Sequence, residues 1–349
     1  MDPGPSDLSN LHRPVLVGEV LSLLAPSDRI EMGGAGPLIV DGTVGYGGHA
    51  EAMLTAWPSA RLLGIDRDRE ALLSTKARLA GFGARVRLFH ASYAEIADVL
   101  EEAGEKAPSA ILLDVGVSSP QLDRGDRGFS FRSPDAPADM RFDRDGGGRT
   151  AADLVNQLEE HALAKLLFEH GGERHARGVA RALVAARPVR TLGDVLRAIE
   201  RVVRRDVSGI HPATRTLQAL RIAVNDEAGH MARGLAAAID ALPIGGRLAV
   251  ISFHGGEERA VKAAFLEARR RGVVTVLTTK GIRPTDREVS ENPRASSARL
   301  RAAERTDESV LGMRMGERAV DEESVDEESA DDESADEQSD QAAANGTEA

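Results

Sequence analysis

Apolar residues in this chain come in short, dense runs, each closed by a charged or turn residue, and between the runs they recur at helical spacing. Leu38 to Asp41, Arg61 to Asp66, Val86 to His90, Ala110 to Asp114 and Arg247 to Ser252 are such runs. Runs this short, bounded by Gly, Pro or polar clusters, read as buried strands. Val20 to Ala25, ended by Pro26, and the segments His49 to Ala56 and Asp68 to Leu79 carry helix patterns instead. Strands alternating with helices predict an α/β protein with a doubly wound parallel sheet covered on both faces. Val273 to Thr278 and Ala298 to Arg301 are expected as the last strands, with a polar loop from Lys280 to Ser297 between them.

The alternation stops after Asp114. From Arg124 to Arg149 the chain is Gly, Asp, Arg and Pro with Phe129, Phe131, Met140 and Phe142 interspersed, too long for an ordinary connection and so a functional loop leading into an insertion. Thr150 then caps a helix with Leu154, Leu158 and Leu166 on one face, ended by Gly171-Gly172. A second helix near Arg174 to Arg187 sets Arg174, Arg177 and Arg181 along one face. A third starts at Thr191, and a fourth runs from His211 to Glu227. The sheet resumes after Pro243-Ile244-Gly245-Gly246.

Chemistry concentrates where the first strand ends, in Asp41-Gly42-Thr43-Val44-Gly45-Tyr46-Gly47-Gly48-His49. Glycine lets this backbone take positive φ and approach a ligand closely, presenting amides at the mouth of a strand-turn-helix unit. Gly45 to Ala50 formally fits the dinucleotide pattern G-x-G-x-x-A, with Asp66 where a ribose-binding acid belongs. Three strands, however, end in Asp41, Asp66 and Asp114, and in a doubly wound sheet those ends line one crevice. Unpaired carboxylates beside a pyrophosphate are unfavourable. S-adenosylmethionine fits better, having a ribose diol, an ammonium, a sulfonium and no phosphate. Solvated acids at strand ends are the plainer alternative, less apt for three in succession. Tyr93, after the third strand, is equally an adenine-stacking or a core residue.

At 349 residues and 42% hydrophobic, the chain can bury more than one core. No apolar run is long enough to cross a bilayer and no secretory leader pattern is visible, which predicts a cytoplasmic protein without membrane contact. With no cysteine there is neither a disulfide framework nor a thiolate metal site, and no metal is expected. The net charge of −12 is owed to the end of the chain, where 13 acidic residues from Asp321 onward face no Lys or Arg after Arg318. The rest is close to neutral, so nucleic acid must be met through local clusters such as Arg174, Arg177, Arg181, Arg197, Arg201, Arg204 and Arg205. The repeated acidic tail is expected to be disordered.

Ser118-Ser119-Pro120-Gln121, after the fourth strand, resembles a divergent version of the polar-Pro element of methyltransferases that act on exocyclic amines. More broadly, HRPVLVGEVL from His12, DGTVGYGGH from Asp41, GIDRD from Gly64, ILLDVGVSSPQLD from Ile111, RGFSFR from Arg127, DMRFD from Asp139, HPATRTLQALRIAVNDE from His211, GGRLAVISFH from Gly245 and ENPRASSARLRAAER from Glu291 resemble the small-subunit (16S) ribosomal RNA cytosine-N4 methyltransferase family. The resemblance implies a Rossmann-like class I methyltransferase sheet interrupted by a helical substrate-recognition domain. The divisions it suggests are residues 1–124 and 216–318 for the two parts of the methyltransferase domain, 125–215 for the insertion and 319–349 for the tail. It also implies S-adenosyl-L-methionine held by Gly45, Gly47, Gly48, His49, Asp66, Tyr93, Asp114 and Gln121, and a target amine positioned by Ser119, Pro120 and Asn225. The implied substrate is a cytidine in the decoding region of 16S ribosomal RNA within the small ribosomal subunit. Alternatives are a DNA amino-methyltransferase, or a cofactor-binding assembly factor with weak turnover. The second is suggested by one departure: the family continues Ser-Leu-Glu-Asp-Arg after His254, whereas this chain has Gly255-Gly256-Glu257-Glu258-Arg259, two glycines expected to loosen a loop.

Overall fold

A computed structural model describes residues 14–26, 36–117, 125–204 and 211–307. The seven strands are β1 (Leu38–Asp41), β2 (Arg61–Asp66), β3 (Val86–His90), β4 (Ala110–Asp114), β5 (Arg247–Ser252), β6 (Val274–Val276) and β7 (Arg299–Arg305). They form one sheet in the order β3-β2-β1-β4-β5-β7-β6. All neighbours are parallel except β7, which runs antiparallel to both β5 and β6. Because both faces are covered, alternate residues of one apolar run enter different cores. Val40, Ile111, Leu113 and Val250 pack on one side, while Ile39, Leu112, Ala249 and Ile251 pack on the other.

The covering helices are α1 (Val17–Leu24), α2 (Gly48–Ala56), α3 (Arg69–Arg78), α4 (Ile96–Ala103), α5 (Ala151–Gln157), α6 (Glu160–Gly171), α7 (Ala176–Ala185), α8 (Leu192–Glu200), α9 (Thr214–Asn225), α10 (Glu227–Ala241), α11 (Gly255–Arg270) and α12 (Asp286–Glu291). The helices α4, α10 and α11 were not among the elements expected from the pattern. α10 is Ala-rich, and its apolar face of Met231, Leu235, Ala238 and Ile239 is buried. It is separated from α9 only by Asp226, whose φ of 48° breaks the hydrogen-bond ladder.

Several expectations need correction. The single helix from Thr150 is two, because Leu158 turns to ψ 140° and the Arg187 guanidinium takes up the carbonyls of Val155 and Leu158. Arg174 precedes α7 rather than lying on it. The polar connection from Lys280 contains α12 and a 3-10 turn over Pro293–Ser297. Gly255 and Gly256 do not form a loosened loop but the first turn of α11. His254 Nδ1 accepts from the Gly256 and Glu257 amides, and Glu257 accepts in return from the His254 amide, a reciprocal cap that fixes the turn.

Helices α5 to α9 bury a core of their own, including Val155, Leu163, Leu167, Leu183 and Leu220. The expected division at residue 215 falls inside α9, whose Leu217 and Leu220 belong to that helical core. Buried Glu173 accepts from the Thr216 hydroxyl at 3.2 Å and ties the end of α6 to α9. Residues 205 and 319–349, and with them Arg205 and the acidic tail, lie outside the described residues.

Candidate functional site

The first βα turn is shaped by its acids and glycines together. Gly45 and Gly47 take φ of 49° and 80°, conformations that strain any residue with a Cβ. Gly47 immediately precedes α2, and a Cβ there would meet Thr75 at 3.1 Å. The Gly45 amide donates to Asp66 Oδ2 at 2.8 Å, and the Gly47 amide to the Val44 carbonyl at 2.8 Å. These two amides are therefore engaged within the protein, not presented to a bound ligand as the glycine pattern suggested. The loop is fastened to β4 as well, since the Asp114 amide donates to Thr43 Oγ1 at 2.6 Å.

Three carboxyls meet at this edge. Asp41 is 1% exposed. Burial, together with neighbouring Asp114 and Asp66, pushes it up to about 8 against the opposing Thr43 amide. Burial likewise raises Asp66 to about 6, although the Asp68 and Gly45 amides work in the other direction. Asp114 rises to about 7, first through burial and then through the nearby Glu257 charge. The same desolvation lowers His49 to about 4. The Val15 carbonyl can only accept, so His49 Nε2 donates to it at 2.8 Å, and Nδ1 faces Asp114 Oδ2 at 3.4 Å. Asp114 Oδ1 is buried and has no hydrogen-bond partner among the described residues.

A cavity of about 670 Å³ opens from this edge toward the helical unit. Gly45, Gly48, His49, Asp66, Tyr93 and Asp114 line it. Asp41 sits beneath the lining, and Gly47 faces Thr75 instead. Tyr93 packs so closely on α10 that a Cβ at Gly234 would stand 2.2 Å from its ring. Ser119, Pro120 and Gln121 lie outside the described residues. Asn225 is 2% exposed and both of its amide hydrogens are taken. It accepts from the Phe142 amide at 2.8 Å and donates to the Met140 and Arg221 carbonyls at 2.7 and 2.9 Å. It clamps the inserted loop onto α9 and does not reach the cavity, so the expected role beside the target amine does not fit its placement.

The far wall was not anticipated. Helix α9 turns Thr214, Gln218 and Arg221 toward the cavity, one face at i, i+4 and i+7 that the sequence pattern did contain. Arg221 Nε and Nη2 bind Glu227 at 2.7 and 2.9 Å, and Nη2 stands 4.0 Å from Glu257 Oε1. Burial works to raise Glu257, but His254, Arg221 and the Phe253 amide overcome it and hold the carboxyl below its ordinary range. Phe129, Phe131, Phe142 and Phe253 add flat apolar surface. The loop carrying three of them is anchored by Arg127, buried against Asp68 and donating to the Arg141 and Phe142 carbonyls.

This cavity fits S-adenosylmethionine. The unpartnered Asp114 oxygen and the carboxyls raised by burial would be relieved by a cation, and each oxygen of Asp66 already accepts one amide and retains a lone pair for a ribose hydroxyl. A doubly wound sheet with an antiparallel β7 and an acid-rich crevice at its carboxyl edge defines a class I S-adenosylmethionine-dependent methyltransferase. The chain belongs to the MraW methylase family, whose profile matches residues 9–306. It is 45% identical over 326 residues to ribosomal RNA small subunit methyltransferase H of Pseudarthrobacter chlorophenolicus, which covers 87% of this chain and 98% of that protein. The protein of the same name in Frankia casuarinae is 46% identical over 314 residues, covering 84% of this chain and 95% of its own length. That of Thermobifida fusca is 45% identical over 318 residues, with coverages of 85% and 94%.

Proposed function

We propose that the protein methylates the N4 exocyclic amine of a cytidine in the decoding region of 16S ribosomal RNA, acting in the cytoplasm on the small ribosomal subunit. The observation that carries this reading is the near full-length similarity to proteins named for small-subunit ribosomal RNA methylation. The cavity supports it, because it joins an acid-rich cofactor side to an aromatic wall of Phe129, Phe131, Phe142 and Phe253 that suits a base turned out of its stack. The helical unit of α5 to α9 serves as the substrate-recognition part, and Arg174, Arg177 and Arg181 on its exposed side meet phosphates.

S-adenosylmethionine supplies a methyl group made electrophilic by its sulfonium. The chain has to supply order. Asp66 holds the ribose, Tyr93 flanks the adenine, and Asp114 faces the positive end. The N4 lone pair of cytosine is delocalised into its ring, so acceptors for the amine hydrogens must localise it and aim it, and positioning supplies most of the acceleration. Ser119 and Pro120, next along the chain from β4, remain proposed neighbours of that amine. No strong base is needed, since the amine proton becomes acidic once the new N–C bond forms.

Small subunits from a host lacking the corresponding gene, incubated with the protein and cofactor and digested to nucleosides, should yield N4-methylcytidine by mass spectrometry. Methylation of another position, or none, would contradict the reading.

A further inference from the structure

Glu257 is the first residue on the far wall to ask about. Its role as a helix cap accounts for only one oxygen: Oε2 accepts from the Phe253 amide at 2.7 Å and the His254 amide at 3.3 Å. Oε1 is paired with His254 Nε2 at 2.9 Å and lies 4.0 Å from Arg221. Capping does not call for a buried arginine beside it. The side chain is 8% exposed, and the residue lines the cavity. A carboxylate oxygen with one partner retains acceptor capacity.

Arg221 complements it. Glu227 engages Nε and Nη2, and Nη1 has no acceptor among the described residues. Two carboxylates face one guanidinium, so this wall does not offer the surplus positive charge that a phosphate seeks. It offers an acceptor and a donor side by side. Between it and the cofactor side stands Gly116, with φ of 112°. A Cβ there would make ordinary contact with Glu257 Oε1 at 3.9 Å and the Phe253 ring at 3.6 Å, which sets Gly116 directly against Glu257.

We propose that Glu257 and Arg221 form the target-base subsite, Glu257 Oε1 accepting a hydrogen from the exocyclic amine and Arg221 Nη1 donating to the adjoining unprotonated ring nitrogen. This rests on the cytidine reading given above and goes beyond it by naming the residues that recognise the base. An amine beside a bare ring nitrogen is the edge that cytosine presents. Uracil presents the reverse, a carbonyl beside N–H, and would set acceptor against acceptor and donor against donor in a desolvated site. His254 and Glu227 act as positioning residues, each holding one member of the pair.

The test uses full-length protein and small subunits reconstituted with either cytidine or 3-deazacytidine at the target position. 3-Deazacytidine keeps the amine but replaces the ring nitrogen by C–H. With cytidine, a product other than N4-methylcytidine overturns the functional reading itself, and this inference with it. Given N4-methylcytidine, the unaltered protein should lose at least about tenfold in kcat/KM on 3-deazacytidine, the loss of one good base contact. Glu257→Gln should lose at least about tenfold on cytidine while affinity for S-adenosylhomocysteine stays within about twofold. Equal rates on the two nucleosides, or a Glu257→Gln enzyme of undiminished kcat/KM, would overturn the proposal. Should Glu257→Gln fail to fold, the 3-deazacytidine comparison on unaltered protein decides alone, because a purely structural Glu257–Arg221 pair has no reason to sense the ring nitrogen.

Discussion

The two sides of the cavity handle buried charge in opposite ways. At the sheet edge, Asp41, Asp66 and Asp114 are desolvated with hardly a cation among them, and burial raises all three above the ordinary carboxyl range. Across from them the acids are already paired with nitrogen donors: Glu227 has Arg221, and Glu257 has His254 and Arg221. A cluster left short of positive charge is poised to take it from a ligand. A wall whose acids are already paired holds its shape and offers directed hydrogen bonds to a neutral group. One cavity can thus hold a cationic cofactor on one side and an uncharged base on the other.

Removing one partner of a buried ion pair should have the largest effect. Arg127→Met takes the guanidinium away from buried Asp68, where both side chains are no more than 3% exposed, and should destabilise the protein by about 3–5 kcal/mol in denaturant unfolding. A loss below about 1 kcal/mol would mean that the loop from Gly125 relaxes and readmits water. On the acid-rich side, Asp66→Ala should weaken cofactor binding by roughly 1.5–3 kcal/mol, the worth of a charge-assisted hydrogen bond. Calorimetry showing unchanged affinity would remove Asp66 from the site.

Gly234→Ala sharpens the comparison from a third direction. Its methyl would stand 2.2 Å from the Tyr93 ring and must displace that ring or α10, an overpacking loss of about 1–3 kcal/mol. Weaker cofactor binding is expected along with a lower melting temperature, and a change in neither would show that Tyr93 can move freely. The smallest effect belongs to the outer surface. Replacing Arg174, Arg177 and Arg181 together by Gln should weaken small-subunit RNA binding and reduce its log–log salt slope by about 2, with cofactor affinity unchanged. Arg181 already pairs with Glu160 at 3.4 Å, both well exposed, so an unchanged slope would identify these arginines as a solvated face.

Legibility in the sequence follows the same divide. The acid-rich side is built from contiguous motifs at strand ends, and a strand end announces itself by an apolar run stopping at Asp41, Asp66 or Asp114. The paired side is assembled from α9, α10 and α11, so Arg221, Glu227 and Glu257 meet only through tertiary packing. The polar stripe of Thr214, Gln218 and Arg221 on an otherwise buried helix was the available signal. Asn225 shows the converse: a polar residue in a strong motif, yet its amide is bonded to the backbone of Met140, Phe142 and Arg221. The Gly255-Gly256 pair suggested looseness because glycine lowers helix propensity, whereas reciprocal capping by His254 and Glu257 fixes that turn.

The central claim is that the acid-rich side is completed by a cation, and it has a direct thermodynamic signature. Asp114 at about 7 still holds a proton over part of the neutral range, so the ligand-free fold gains stability from this group as pH falls through 7 toward its unfolded value near 3.8. A positively charged ligand reverses that preference by favouring the ionised form. Calorimetry of S-adenosylmethionine binding in buffers of different ionisation enthalpy, from about pH 5.5 to 8.5, reads the linkage. The account predicts proton release on binding below about pH 7, affinity rising with pH up to that point, and loss of this release in Asp114→Asn. Binding without proton release at any pH, or release undiminished in Asp114→Asn, would contradict it.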